Sequence, residues 1–145
     1  MQKMDYRRAV DWMCSALPMF QKVGSAAYRP GLENTEYLMD YLGHPGRGLR
    51  TNRKGSTSSM LAAVLMEAGY RTGLYTSPHL IDFRERMRVD GEMIPKEFVA
   101  DFVERHLDFF TAHSFSFFEM TTAMAFCWFR ACGVDVAVVE TGRGG

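Results

Sequence analysis

The chain has 145 residues and a mass of 16.5 kDa, enough for one compact domain with its own core and too little for two ordinary ones. Lys+Arg 17 balance Asp+Glu 17, so no net field gathers nucleic acid or an anionic membrane, and binding has to come from a local site. Cys14, Cys127 and Cys132 form an odd set without C-x-x-C spacing, which argues against a disulfide framework and a zinc site and fits a reducing cytoplasm.

The start, Met1 to Val10, is charged, so it does not read as a signal peptide. Ala9, Trp12, Met13, Ala16 and Leu17 recur at helical spacing until Pro18, which predicts a short amphipathic helix. A polar loop with Gly24, Pro30 and Gly31 follows, then a second helix through Leu38, Tyr41 and Leu42 that ends at Gly43. His44 to Arg53 is rich in Gly and Arg and nearly free of apolar residues, which predicts irregular structure. Ser56 to Ala68 carries Met60, Leu61, Val64 and Leu65 and reads as a helix closed by Gly69; Arg71 to Thr76 follows as a short strand. Asp90-Gly91 marks a hairpin or tight turn, and Arg84, Arg86 and Arg88 alternate with Met87 and Val89 as on the exposed face of a strand. Phe98, Val99, Phe102, Val103, Leu107 and Phe110 predict a helix after Pro95, and Ser116 to Arg130 another. The apolar stretch inside that last helix, Phe117 to Phe129, is broken by Glu119 and two threonines and does not read as a membrane span. After Gly133, the run Val134 to Val139 reads as a strand buried on both faces of a parallel sheet. The pattern is alternating helix and strand, an α/β domain.

Three places could carry chemistry. Asn52-Arg53-Lys54-Gly55-Ser56-Thr57 stands directly before a helix, where free N–H groups and the positive end of the dipole favour phosphate. Lys54 would neutralise phosphate oxygens and Ser56 or Thr57 would offer a hydroxyl to Mg²⁺, or Ser56 is simply a helix cap and Lys54 a solvated charge. Glu140 ends an apolar strand and precedes Gly142, Gly144 and Gly145, which makes it either a carboxylate at the ligand edge of the sheet or an ordinary solvated strand-end residue, while Thr76-Ser77-Pro78-His79 ends another strand either with hydroxyls for a metal at that edge or as a turn stabilised by Ser and Pro. Ser116-Phe117-Phe118-Glu119 fits a capping box, and its Phe pair could also face a flat heterocycle. His44, His79, His106 and His113 show no ligand spacing and read as structural or surface residues.

The order of these segments is more specific than any one of them. Lys54-Gly55-Ser56-Thr57-Ser58, Ala68-Gly69-Tyr70, Gly73-Leu74-Tyr75-Thr76-Ser77-Pro78-His79-Leu80, Phe83-Arg84-Glu85-Arg86, Ser116-Phe117-Phe118-Glu119 and Val138-Val139-Glu140-Thr141-Gly142-Arg143-Gly144-Gly145 closely resemble the folylpolyglutamate/dihydrofolate synthases of the Mur ligase superfamily. The resemblance implies a P-loop-type parallel sheet flanked by helices, with residues 1–145 as a partial N-terminal nucleotide-binding domain and the C-terminal glutamate-ligase domain absent. It implies an enzyme that uses ATP and Mg²⁺ to add L-glutamate to dihydropteroate or folate through an acyl phosphate. By residue, it implies Lys54 as the catalytic cation, Asn52, Lys54, Gly55, Ser56 and Thr57 at ATP, Ser77 and Glu140 at the metal, and Ser116, Phe117, Phe118 and Glu119 at the pterin. No nucleic acid or membrane partner is implied.

The chain departs from the family in one region. The family's loop is an apolar strand followed by Gly-Thr-Asn-Gly-Lys-Gly-Ser, whereas Arg50 and Arg53 stand where glycines belong and the apolar strand is missing, as after a short internal deletion. The expectation is therefore a chain inactive alone; the alternative is a non-catalytic α/β remnant that binds nucleotide weakly or serves as a partner surface.

Overall fold

The computed structural model describes residues 3–15, 33–48, 50–53, 58–113 and 115–140, without the side chains of 33–34 and 50–53. Contacts divide it into two compact units where the length suggested one: residues 1–44 with 96–124, and residues 45–95 with 125–145.

The first unit is helical. It contains α1 (Tyr6–Cys14), α2 (Glu33–Tyr41), α4 (Lys96–His113) and the first half of α5 (Phe117–Ala131). Asp5 starts α1 by accepting a hydrogen bond from the Arg8 N–H at 2.8 Å. Ala9 and Met13 are fully buried, and Trp12 stacks on Phe110 of α4 with ring centroids 6.3 Å apart. Val99, Phe102, Val103 and Phe110 form the buried stripe of α4, at the helical spacing read from the sequence. A second aromatic seam joins α2 to α4: Tyr41 stacks on Phe109 at 3.6 Å and 5°, and its hydroxyl lies 3.0 Å from His106 Nδ1. This helix pair has a core of its own, which is why a chain of this length groups its contacts twice.

The second unit is a sheet with helices: β1 (Arg50–Arg53), α3 (Ser58–Glu67), β2 (Thr72–Tyr75), a 3₁₀ turn (Phe83–Arg86), β3 (Met87–Val89), β4 (Glu92–Met93), the second half of α5, and β5 (Val136–Val139). The strand order is β1-β5-β2-β3-β4. β5 runs parallel to both β1 and β2, and β2-β3-β4 are joined antiparallel, so the sheet is mixed rather than wholly parallel. Asp90 and Gly91 form the β3-β4 turn, both at positive φ, as their dipeptide predicts. Gly69 and Gly133 end α3 and α5 at positive φ; the Gly133 N–H bonds to Arg130 and the Val134 N–H to Phe129, a Schellman closure.

Two expectations are corrected here. His44 to Arg53 is not irregular throughout, because Arg50–Arg53 is a strand paired residue for residue with Val136–Val139. The first strand is therefore not missing from the sheet. The physical reason is β5: Ala137 and Val138 are fully buried, and the polar backbone of a buried strand requires a partner on each side. Arg84 and Arg86 do not alternate along a strand either. They lie in the 3₁₀ turn, capped by Asp82 and Glu85, and only Arg88 belongs to β3.

Candidate functional site

The two strands that carry the candidate metal groups end side by side. β2 and β5 pair in parallel register up to Tyr75 and Val139, and the Glu140 N–H donates to the Tyr75 carbonyl at 2.8 Å. Both chains thus leave the sheet at its C-terminal edge, Glu140 directly after β5 and Ser77 two residues after β2; both residues are half-buried. β1 runs up the other side of β5 and ends with Arg53 opposite Val139, so the residues that follow it start from the same edge. An open parallel sheet binds ligands at this edge. A hydroxyl and a carboxylate are hard oxygen donors, the chemistry that Mg²⁺ takes. Among the described residues no group of three His, Cys, Asp or Glu could hold a metal, so a cation here would complete its shell with water or phosphate oxygens.

The phosphate segment is only partly described. Lys54, Gly55, Ser56 and Thr57 lie outside the described residues. Asn52 is described through its backbone, and it sits within β1 opposite Val138 rather than in a loop before α3. The α3 helix is described from Ser58.

The loop after β2 is held by a hydrogen-bond network whose organiser residue-type reasoning missed. The Glu85 carboxylate accepts three consecutive backbone N–H groups, from Leu80 at 3.1 Å, Ile81 at 3.0 Å and Asp82 at 2.7 Å. These bonds, with that from Asp82 first, hold its pKa below the ordinary carboxylate range. Asp82 in turn accepts from the Arg84 N–H and from its guanidinium at 3.1 Å. The Thr76 N–H donates to the Arg86 carbonyl at 2.9 Å, which closes the loop onto the end of β2. Arg86 Nε donates to His79 Nδ1 at 2.8 Å. Burial first, then the Arg86 charge, lowers the His79 pKa. The signal was in the sequence: Asp82 and Glu85 have the spacing of a capping box.

Ser116, Phe117, Phe118 and Glu119 lie in the helical unit. The Ser116 N–H donates to Glu119 Oε2 at 2.8 Å and the Glu119 N–H to Ser116 Oγ at 3.1 Å, the reciprocal box that their spacing predicts. Phe117 is buried, whereas Phe118 is half-exposed, so only Phe118 of the pair offers a face to a ligand. The remaining histidines have structural partners: His44 meets Asp40, His106 meets Tyr41 and His113 meets Tyr37. Cys14, Cys127 and Cys132 are not joined in disulfides. Among the described residues no helix is long and apolar enough to cross a membrane.

No family model matches the chain. A protein of Haloferax volcanii named "Probable bifunctional folylpolyglutamate synthase/dihydropteroate synthase" is 43% identical over 98% of this chain and 17% of its own length. That alignment runs over 156 positions, more than the 145 residues of the chain, so the relative has residues inside the matched span that this chain lacks. The crystal structure of folylpolyglutamate synthase from Thermotoga maritima superposes with a TM-score of 0.72 at 36% identity, over 91% of this chain and 34% of that one. An FPGS complex with AMPPCP and folate superposes with a TM-score of 0.82 at 32% identity, over 98% of this chain and 36% of that one. The chain thus spans about a sixth of the curated relative and about a third of each solved protein.

Proposed function

The chain belongs to the folylpolyglutamate/dihydrofolate synthase family of the Mur ligase superfamily, and we propose that it carries the nucleotide-handling part of an ATP-dependent amide ligase with an altered phosphate loop. In this reading MgATP phosphorylates the carboxylate of dihydropteroate or folate, and the amino group of L-glutamate then displaces phosphate to form the amide. Lys54 steadies the transferred phosphoryl group, with Asn52, Gly55, Ser56 and Thr57 beside it, and Ser77 and Glu140 hold Mg²⁺. When bound, the metal neutralises the charge that develops on the bridging phosphate oxygens. Of Ser116, Phe117, Phe118 and Glu119, Phe118 would offer its exposed ring to the pterin, while buried Phe117 and the Ser116–Glu119 cap would support it.

The observation that carries the reading is the common edge: β1, β5 and β2 run in parallel, and Lys54, Glu140 and Ser77 follow their C-terminal ends in the chain. The same strand supports the loop's impairment. Arg50, Thr51, Asn52 and Arg53 occupy the positions of the family's Gly-Thr-Asn-Gly, yet they are spent in the β1 ladder. Glycines serve such loops because positive φ is free to them and the backbone can approach phosphate; a non-Gly residue forced there costs roughly 1–2 kcal/mol.

Two measurements test this. Residues 1–145 should show no ATP-dependent ligation of dihydropteroate or folate with glutamate; glutamate-dependent phosphate release above a Lys54→Ala control overturns that. In calorimetry, MgATP should bind no tighter than the millimolar range, ~4 kcal/mol. Replacing Arg50 and Arg53 by Gly should recover little, because glycine weakens a strand interior without lengthening the loop. Inserting an apolar strand ahead of residue 50 together with both glycines should recover more. Micromolar binding by the unaltered chain refutes the impaired loop and makes the arginines functional substitutes.

A further inference from the structure

His79 lies on the loop that leaves β2 at the ligand edge, two residues beyond Ser77, and its ring is held in one chemical form by geometry. An arginine Nε–H can only donate, so the 2.8 Å bond from Arg86 requires an unprotonated His79 Nδ1. In the neutral ring the proton then sits on Nε2. No described residue receives that proton. The ring is only partly buried, and it meets Phe83 edge-on with centroids 6.0 Å apart, which restricts its rotation.

The surrounding loop leaves little freedom to either partner. Glu85 ties down the N–H groups of Leu80, Ile81 and Asp82, the three residues directly after His79. The Thr76 N–H holds the Arg86 carbonyl, which anchors Arg86 to the strand end from which the loop departs. Leu80 and Ile81 are left almost fully exposed, so packing of their side chains is not what shapes this segment. A stretch ordered by backbone hydrogen bonds to one carboxylate, and carrying a tautomer-fixed imidazole, is pre-organised before any ligand arrives.

We propose that His79 is a substrate-contacting residue of this edge, a neutral Nε2–H donor to an anionic oxygen of the bound substrate, and that Arg86 and Glu85 are the positioning residues that hold it. The inference rests on the ligase reading above, which supplies two anionic groups at this edge, a phosphate and a carboxylate. A neutral donor suits both, since it offers a directional bond without adding a second full charge beside the metal.

The experiment is nitrogen-detected imidazole NMR of the 145-residue chain at fixed neutral pH, with the His79 signals assigned by their loss in His79→Gln. The expected spectrum has His79 Nδ1 unprotonated and Nε2 protonated in the free chain; the opposite tautomer, or an even mixture, overturns the inference whatever the fate of the ligase reading. Inorganic phosphate and folate are then titrated separately, to tell a phosphate from a carboxylate ligand, and one of them should shift His79 Nε2. His79→Ala should weaken that ligand about tenfold, as expected for one bond to a charged group, whereas His79→Gln, whose amide nitrogen replaces Nε2, should stay within about threefold. Equal loss in both variants overturns the donor role. Shifts at the Ser77 and Glu140 amides with none at His79 overturn this inference alone, and no response anywhere overturns it together with the reading beneath it.

Discussion

Gly73→Ala probes the packing that supports the ligand edge from below. Gly73 is buried in β2, paired with Ala137 of β5 on one side and Val89 of β3 on the other, so its backbone cannot move sideways without breaking a ladder. A Cβ at this position would stand 3.0 Å from each of Cδ1, Cε1 and Cζ of Phe129, a fully buried ring on α5 that has no room to withdraw. Overpacking of this kind costs about 1–3 kcal/mol. Stiffening of the unfolded chain on Gly→Ala returns about 0.4–1 kcal/mol, which leaves a net loss of about 0–2.6 kcal/mol, centred near 1. The assay is urea unfolding of a Trp12→Phe background, in which Trp128, 6.0 Å from Phe129, is the one remaining tryptophan. Phe129→Leu in the same background removes the ring face, and the double variant should be more stable than the sum of the single losses by ~1 kcal/mol. A Gly73→Ala chain as stable as its parent, with no coupling to Phe129, refutes the argument.

Ser116→Ala should destabilise the helical unit by about 1 kcal/mol in urea unfolding followed by Trp12, since it breaks the capping box at the start of α5. Burial, and then the Arg105 charge, lowers the His106 pKa below 6.5, so the folded state resists a proton that the unfolded chain accepts. The corresponding stability is fully present above pH 6.5 and lost as pH falls below it; His106→Gln should flatten that slope for the Trp12 transition in a Trp128→Phe background, and an unchanged slope would exclude His106 as its source. Burial pushes the Cys127 thiol up to about 11, so mass-resolved alkylation at pH 7.5 should leave Cys127 unmodified in the folded chain and modify it readily in urea.

The elements that the sequence foretells are those whose signals are local. The stripe of α4, the Asp90-Gly91 turn, the glycine ends of α3 and α5 and the Ser116/Glu119 box each depend on residues within one or two turns of chain, and each forms as its pattern implies. β5 is legible for a related reason: a run of Val and Ala cannot be solvated as a strand, so it has to be covered. The site divides along the same line. Glu140 at the end of β5 could be placed from the run before it, whereas the Asp82/Glu85 spacing signals a cap but not the Leu80 and Ile81 N–H groups that also converge on Glu85 once the loop has folded.

β1 was illegible because nothing in Arg-Thr-Asn-Arg asks to be a strand. The demand comes from β5, whose buried backbone would otherwise present unpaired N–H and C=O groups along one side, each costing about 1–3 kcal/mol. Set against that, the weak β-propensity of four polar residues is a small term, since the whole propensity scale spans only ~1 kcal/mol. Tertiary need therefore draws Arg50–Arg53 into the ladder beside Val136–Val139, and in the function proposed above these are also the residues that open the phosphate loop. The sheet and the loop compete for the same four residues. In the proposed function, length restored ahead of residue 50 should free those residues to turn, and glycine at positions 50 and 53 should raise MgATP affinity in calorimetry only in that lengthened chain; a gain from the glycines alone would refute the competition.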